Sequence, residues 1–419
     1  MPTAISRKSR WQIAIAVALI GVLALAGLVT SAEPWVPEKA DATAEQVTAA
    51  RVLANEAKLS RETGKPVELE LDNAELDAIS AMVTQGFAPN RLDVELENGI
   101  LVVTGSRPFL FRWINIRALA VGSSKGLPDF AVRIGAVPLP HWLSRWGLGL
   151  VQQRIAAQSE TLPPLDAILR FTRIGSDRLT AGILVPKGNL LVHARATGAP
   201  PLDEETVAAI YCRLARQQRT NPTALLSHQL RRALTASDPT AEEHRAALVA
   251  LALFSLGPDA KELAGNSTAI DACAVPPTRL TLQKREDWAK HWALSAALEA
   301  TTGGQISAAI GEWKELADTL AKGPLLAAGD PSGFSFIDLA SDRAGMWTAR
   351  RLLDPDSLVA TRARLLSAQD DELLPAAALA LDDGLSEAEF AARFGATDDP
   401  RFKAQVGKID AMLRRGGID

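Results

Sequence analysis

The 419-residue chain lacks the excess of positive charge that is typical of nucleic-acid-binding proteins. Its 45 lysines and arginines are outnumbered by 49 aspartates and glutamates, which gives a formal net charge of −4. Hydrophobic residues make up 47% of the sequence, so the chain can bury a sizeable core. We therefore predict a folded protein with no nucleic-acid partner.

Cysteine is scarce: the sequence contains Cys212 and Cys273 and no others. The two lie far apart and lack the C-x-x-C spacing of a redox motif. A disulfide between them would survive outside the cytoplasm, and two buried thiols would fit the sequence equally well. The sequence leaves both possibilities open.

Two familiar catalytic signatures are also absent. The chain contains no P-loop and no H-E-x-x-H. No nucleotide site or zinc-protease helix is therefore indicated by a motif. Any chemistry has to come from side chains that the fold brings together.

One long uncharged run is present, at residues 11–30, and no later stretch matches it. About twenty apolar residues in a helix can cross a hydrocarbon core of roughly 30 Å. Three basic residues precede the run, and such flanks stay cytoplasmic. Residues 1–32 therefore predict a single-pass anchor in a bacterial inner membrane, with the bulk of the chain in the periplasm. A cleaved signal peptide is the alternative, since Thr30-Ser31-Ala32 offers small residues at a cleavage site.

Residues 33–65 indicate a tether and a helix at residues 44–60, and residues 66–197 carry the alternating pattern of strands. Asn73 is the expected N-cap of a helix that ends at Gly86, and Asn98-Gly99 is the expected turn of a hairpin. Strands are also expected at Val67–Leu71, Trp113–Val121, Phe130–Ile134 and Leu179–Val185. A long amphipathic helix is expected at His141–Gln158, with Trp142 and Trp146 packed in the core. A membrane-surface or lipid-contacting edge is the alternative for these two side chains.

The segment before this long helix is Arg133-Ile-Gly-Ala-Val-Pro-Leu-Pro140. Together with the order of elements, it resembles YpmS-like extracytoplasmic proteins. That resemblance implies a domain related to tubular lipid-binding folds. A twisted sheet wrapped on one helix would leave an apolar groove for an acyl chain. An ordinary two-layer α+β core is the alternative.

A break at residues 198–201 is followed by helical patterns over 202–419, so the predicted fold class is α+β. We expect a transmembrane helix, an antiparallel-sheet-plus-long-helix domain and an all-α domain. Three segments of the all-α domain space their polar groups three or four residues apart, which aligns side chains on one helix face. They are Asp287-x-x-x-His291, Gly311-x-x-Lys-Glu315-x-x-Asp318 and Gly333-x-Ser335-x-x-Asp338-x-x-x-Asp342-x-x-Gly345.

These three motifs, within residues 285–352, resemble YfiM-like families of small bacterial envelope proteins and, more distantly, VanZ-like ones. The resemblance implies a helical domain and no particular reaction. We predict that the motif side chains converge. The candidate catalytic or metal-binding residues are His291, Glu315, Asp318, Asp338 and Asp342.

One imidazole among carboxylates suits a divalent metal such as zinc, manganese or iron, and such groups can also serve acid–base catalysis. The alternative is a structural brace: Lys314 and Arg343 would neutralise two of these carboxylates, Ser335 or Asp338 would cap a helix, and Gly311 and Gly345 would let helices approach. We expect a membrane-anchored envelope protein that binds lipid or envelope proteins. A metal-dependent or acid–base envelope hydrolase is the second hypothesis.

Overall fold

The computed structural model describes residues 26–37, 56, 59–60, 63–86, 89–157, 165–184, 202–257, 268–273, 275–276, 278–302, 334–395 and 399–418. Most of the predicted anchor, most of the helix expected at 44–60, the break at 198–201 and the middle polar motif lie outside these residues. The chain forms two compact units. The first contains the described parts of 1–39, 68–152 and 165–183, and the second those of 40–67, 153–164 and 184–419. The predicted domain bounds stay predictions.

The first unit contains a six-stranded antiparallel sheet. Its strands are ordered β3-β4-β5-β6-β7, with β1 added beside β5. The strands are β1 (Thr30–Ser31), β3 (Arg91–Glu97), β4 (Ile100–Phe109), β5 (Arg112–Ala120), β6 (Phe130–Ile134) and β7 (Val137–Pro138). A second, three-stranded sheet is ordered β2-β9-β8 and consists of β2 (Val67–Leu71), β8 (Leu169–Ile174) and β9 (Leu179–Ile183).

The predicted hairpin is confirmed. Glu97 pairs with Ile100, and the two residues between them, Asn98 and Gly99, have φ of 51° and 77°. Two-residue turns with both φ values positive match the twist of the flanking strands, and Asn-Gly adopts them at little cost. The strands expected around β2, β5, β6 and β9 are present as well, whereas β8 was not predicted.

Helix α1 (Asn73–Gly86) follows β2. The prediction of Asn73 as its N-cap was wrong, because Asp72 Oδ1 accepts hydrogen bonds from the backbone N–H groups of Ala74 and Glu75. The Asn73 side chain instead bonds both backbone groups of Leu96. It therefore ties the start of the helix to β3.

The sheet of the first unit has one apolar and one charged face, because side chains alternate along each strand. Ile116 pairs with Ile134 and Ala118 with Val132 on the face toward α2 (His141–Ala157). On the other face Arg117 pairs with Arg133. After α2, the short helix α3 (Leu165–Ile168) leads into β8.

The second unit is helical, so the predicted α+β class is confirmed for the described chain. Its helices are α4 (Glu204–Thr220), α5 (Leu226–Thr235), α6 (Ala241–Leu256), α7 (Thr268–Ala272), α8 (Glu286–Thr302), α9 (Phe336–Leu353), α10 (Leu358–Leu365), α11 (Asp370–Leu373), α12 (Glu387–Phe394) and α13 (Pro400–Arg415), with a 3₁₀ helix at Ala376–Ala380. Residues 246–255 of α6 are all buried. Within the described ranges, no helix is both long and apolar enough to span a membrane.

A disulfide joins Cys212 of α4 to Cys273, which follows α7, with the two Cα atoms 5.4 Å apart. Of the two possibilities that the sequence left open, the structure contains the bridge. It closes a loop of 61 residues in sequence. The bridge therefore ties α4 to the segment that follows the core helix α6.

Candidate functional site

Helices α8 and α9 bring three of the five predicted site residues together. His291 Nδ1 lies 3.2 Å from each carboxylate oxygen of Asp342, and its Nε2 lies 3.5 Å from Asp338 Oδ2. All three residues are less than a tenth exposed. Glu315 and Asp318 lie outside the described residues, so their place relative to this cluster stays a prediction.

The spacing in the sequence explains this convergence. Asp338 and Asp342 are four residues apart and so occupy one face of α9. Ser335 precedes that helix, and its hydroxyl accepts a hydrogen bond from the backbone N–H of Asp338. Of the two caps that the sequence left open, Ser335 and Asp338, the N-cap is therefore Ser335. The cap fixes where α9 begins. It thereby fixes which face carries the two carboxylates.

Gly345 allows the two helices to approach closely enough for the contact. A Cβ at Gly345 would collide with the carbonyl oxygen of Trp292 on α8. The predicted role of Gly345 in close helix packing is therefore confirmed, whereas Gly311 lies outside the described residues. Trp288 and Trp292 are buried beside the polar residues.

Three further polar side chains between α8 and α9 were not predicted. Ser295 and Glu299 follow His291 at intervals of four residues on α8, and the Ser295 hydroxyl donates a 2.6 Å hydrogen bond to Asp342 Oδ1. Arg350 of α9 donates to Glu299 Oε1 across 3.2 Å. Burial raises the pKa of Glu299, and Arg350 opposes that rise. The four-residue spacing from His291 is the signal that would have identified both α8 residues.

The polar residues at the edges of the cluster have their own ion pairs. Arg285 donates to both oxygens of Asp287, at 3.1 and 2.6 Å. Burial alone would raise the pKa of Asp287, but the bonds from Arg285 hold it below its ordinary value. Arg343 donates to both oxygens of Asp410 on α13, at 2.6 and 2.8 Å. Arg343 thus pairs with a carboxylate outside the candidate residues, whereas Lys314 lies outside the described residues.

The geometry differs from that of an activated nucleophile. In a serine–histidine–aspartate triad the hydroxyl and the carboxylate contact opposite nitrogens of the ring. Here Ser295 and His291 both contact Asp342, and the second ring nitrogen faces Asp338. Among the described residues, moreover, no group of three or more histidine, cysteine or acidic side chains is arranged to hold a metal ion. The described contacts fit a buried hydrogen-bonded brace between two helices.

A second candidate site lies in the first unit, between the apolar face of the sheet and α2. It is a groove of about 690 Å³. Its apolar lining comes from β5, β6, the loop before β6, the segment after β7 and α2: Ile116, Ala118, Leu127, Pro128, Phe130, Val132, Ile134, Leu139, Leu143 and Leu148. This size lies within the range of small-molecule sites, which are usually lined by apolar side chains with a few polar groups.

Polar groups in the groove are gathered around Asp129 and Arg145. The Arg145 guanidinium donates a 2.9 Å hydrogen bond to Asp129, and both side chains are more than half exposed. Gly147 and Gly149 of α2 also line the groove, and a Cβ on either would meet no atom within 4 Å. The glycines therefore widen the groove.

The expected core packing of Trp142 and Trp146 was wrong. They are 69% and 59% exposed, and Leu150, four residues further along α2, is 42% exposed. Leu143, Gly147 and Leu148 face the groove instead. A four-residue spacing identifies side chains on one helix face but does not show which face the sheet covers.

Comparisons with known proteins identify no relative: the chain matches no family model, no curated protein and no solved structure. The YfiM-like, VanZ-like and YpmS-like resemblances therefore stay predictions. Function has to be inferred from the geometry of the two sites.

Proposed function

We propose that this protein is a membrane-anchored component of the bacterial cell envelope that binds a lipid, with one acyl chain in the groove between β5, β6 and α2. The groove itself is the observation on which the proposal depends. Its walls are apolar over most of their length, and its charged residues, Asp129 and Arg145, are well exposed. An amphiphilic ligand would fit this arrangement, with its apolar part against the walls and its polar part beside the charged residues.

The chemistry of Arg145 supports a lipid over a purely apolar ligand. A guanidinium forms strong, directional hydrogen bonds with phosphate oxygens. Arg145 holds a carboxylate of Asp129 in a solvent-exposed pair, which contributes about 0–1 kcal/mol and is easily exchanged for another anion. A phosphate headgroup would take the place of that carboxylate while the acyl chain lies against β5 and β6.

Two further features support a location outside the cytoplasm. The uncharged run at residues 11–30 is long enough to cross a bilayer, and the Cys212–Cys273 disulfide is of a kind that persists in oxidising compartments. Both agree with an ectodomain that faces the periplasm.

Filling the groove from Gly147 tests the proposal. Because a side chain there meets no existing atom, Gly147→Leu would place its isobutyl group in the groove without disturbing the fold. Gly147→Ala is the matched control, since both variants gain the helix propensity that glycine lacks, about 0.5–1 kcal/mol. We expect native mass spectrometry of gently extracted full-length protein to show a co-purifying lipid in the wild type and in Gly147→Ala.

The Gly147→Leu variant should lose that lipid while melting no earlier than the wild type. Repeated absence of lipid from the wild type, or equal lipid in both variants, would refute the groove as the binding site. A protein that retains its fold and loses only the lipid would support it.

A further inference from the structure

The tip of the β4–β5 hairpin exposes three consecutive large apolar side chains. Phe109 pairs with Arg112, so Leu110 and Phe111 form the two-residue turn. Phe109, Leu110 and Phe111 are 53%, 84% and 87% exposed. Exposed apolar residues scattered singly are ordinary, whereas a contiguous exposed apolar group marks a site of interaction.

The backbone conformation of this turn is also unfavourable for the residues that form it. Leu110 has a φ of +56°, at the first central position of the turn, where two-residue hairpins favour glycine. A Cβ makes this conformation costly, and the β3–β4 hairpin of the same sheet avoids that cost with Asn98-Gly99. A position that keeps a strained apolar residue where glycine would fit is a candidate functional site.

The charged residues within the hairpin tip itself are all of one sign. The segment from Gly105 to Ile114 contains Arg107 and Arg112 and no acidic residue. Arg91 lies on the neighbouring strand, paired with Ser106, and its guanidinium is 5.1 Å from the centre of the Trp113 ring. Apolar side chains surrounded by arginine and tryptophan are suited to an anionic membrane surface.

The hairpin is joined to the predicted membrane segment. Thr30, where the predicted membrane span ends, pairs with Ile114 in β5, and its hydroxyl and carbonyl accept hydrogen bonds from Arg112. Phe111 is three residues from Ile114 along the chain, or about 10 Å at the rise of a strand. The end of the uncharged run thus lies close to the exposed tip.

We propose that Phe109, Leu110 and Phe111 insert into the interfacial region of the lipid bilayer, with Arg107 among the lipid headgroups. The inference depends on the membrane location in the proposed function and needs no lipid in the groove. Insertion would hold the sheet at the membrane surface by two points, the anchor and the hairpin. The bilayer is favoured over a protein partner because the basic flank and Thr30, where the predicted anchor ends, lie close to the same three residues.

Quenching by spin-labelled lipids tests the insertion. Phe109→Cys leaves Leu110 and Phe111 intact, and an environment-sensitive fluorophore can be attached to it while the native cysteines remain in their disulfide. The full-length protein is reconstituted into phosphatidylethanolamine–phosphatidylglycerol vesicles that carry nitroxides on their acyl chains. Ser176→Cys is the control, because Gly175 lies beside Gly99 at the far end of β4, about 30 Å from the tip.

We expect the label at position 109 to be quenched at least fivefold more strongly than the label at 176. Adding Leu110→Gly and Phe111→Ser to the Phe109→Cys protein should abolish the difference. This pair should not lower the melting temperature, since glycine suits the φ of position 110. If the triple variant folds poorly, the comparison of labels at positions 109 and 176, in proteins that keep Leu110 and Phe111, still tests the insertion.

Equal quenching at 109 and 176, or quenching that survives the removal of Leu110 and Phe111, would overturn the proposal. A blue-shifted label at 109 that acyl-chain nitroxides do not quench would overturn it as well, in favour of a protein partner or a second copy of the chain. Lipid bound in the groove is measured separately with the Gly147 variants, so failure of one proposal is distinguishable from failure of the other.

Discussion

Gly345 of α9 lies against the backbone of Trp292 of α8 so closely that a Cβ would collide with the Trp292 carbonyl oxygen. The collision involves backbone and not a movable side chain, so Gly345→Ala must push the helices apart. Overpacking of this kind costs about 1–3 kcal/mol. We expect urea denaturation to show a loss of that size.

Gly407→Ala is the matched control for this change. Gly407 is an exposed residue of α13, and a Cβ there meets no atom within 4 Å. Its replacement should stabilise the protein by about 0.5–1 kcal/mol through helix propensity. If both alanine variants changed stability in the same direction, close packing at Gly345 would not be the reason for its glycine.

The His291 cluster should contribute to stability more than to chemistry. His291→Ala would remove the ring between the buried carboxylates of Asp338 and Asp342, and removing one partner of a buried polar group costs about 1–3 kcal/mol, more when that group is charged. We expect a loss of that order in the free energy of unfolding at neutral pH. Metal analysis of the wild type and of the His291→Ala and Asp338→Ala variants checks the competing hypothesis. A stoichiometric metal in the wild type that both variants lose would favour a metal site.

Much of this cluster was predictable because helical spacing is a local property. Asp338 and Asp342 share a face by their four-residue interval, and Ser335 is a cap by residue type. The partner of Arg343 was not predictable, since Asp410 lies 67 positions away on another helix. Such pairs depend on how helices pack, which periodicity does not encode.

The first unit shows the same limit. Asn98-Gly99 predicted its hairpin because the turn and the sequence agree. Leu110-Phe111 did not predict a turn, because neither residue type favours the positive φ that Leu110 adopts. The exposure of Trp142 and Trp146 on α2 was not predicted for another reason: apolar side chains at helical spacing are usually buried.

The disulfide between Cys212 and Cys273 should carry a substantial part of the stability of the helical unit. Closing a loop of 61 residues lowers the entropy of the unfolded chain by an amount worth about 4 kcal/mol in the chain-entropy treatment. Cys212→Ser with Cys273→Ser should therefore unfold at a clearly lower urea concentration than the wild type. Thiol titration of denatured, non-reduced protein is the companion measurement, and two free thiols per chain would contradict the bridge.

His244 should make the helical unit sensitive to mild acid. The residue is fully buried in α6, and its Nδ1 lies 3.4 Å from the carbonyl oxygen of Leu352. Burial lowers the pKa of His244 and the nearby Arg362 lowers it further, while the Leu352 carbonyl opposes the shift. The folded protein therefore takes up a proton at this ring less readily than the unfolded chain does.

The sign of the pH dependence follows from linkage. The pKa of His244 is lower in the folded protein than in the unfolded chain. At pH values between these two pKa values the unfolded chain binds more protons, so stability falls as the pH is lowered. The contribution is fully present above the unfolded pKa of about 6.5 and is lost as the pH falls through the folded value. His244→Gln keeps a polar side chain and removes the titration. We expect urea denaturation at pH 7.5 and 5.5 to show a larger loss of stability for the wild type than for His244→Gln, whereas equal losses would mean that proton uptake at His244 does not oppose folding.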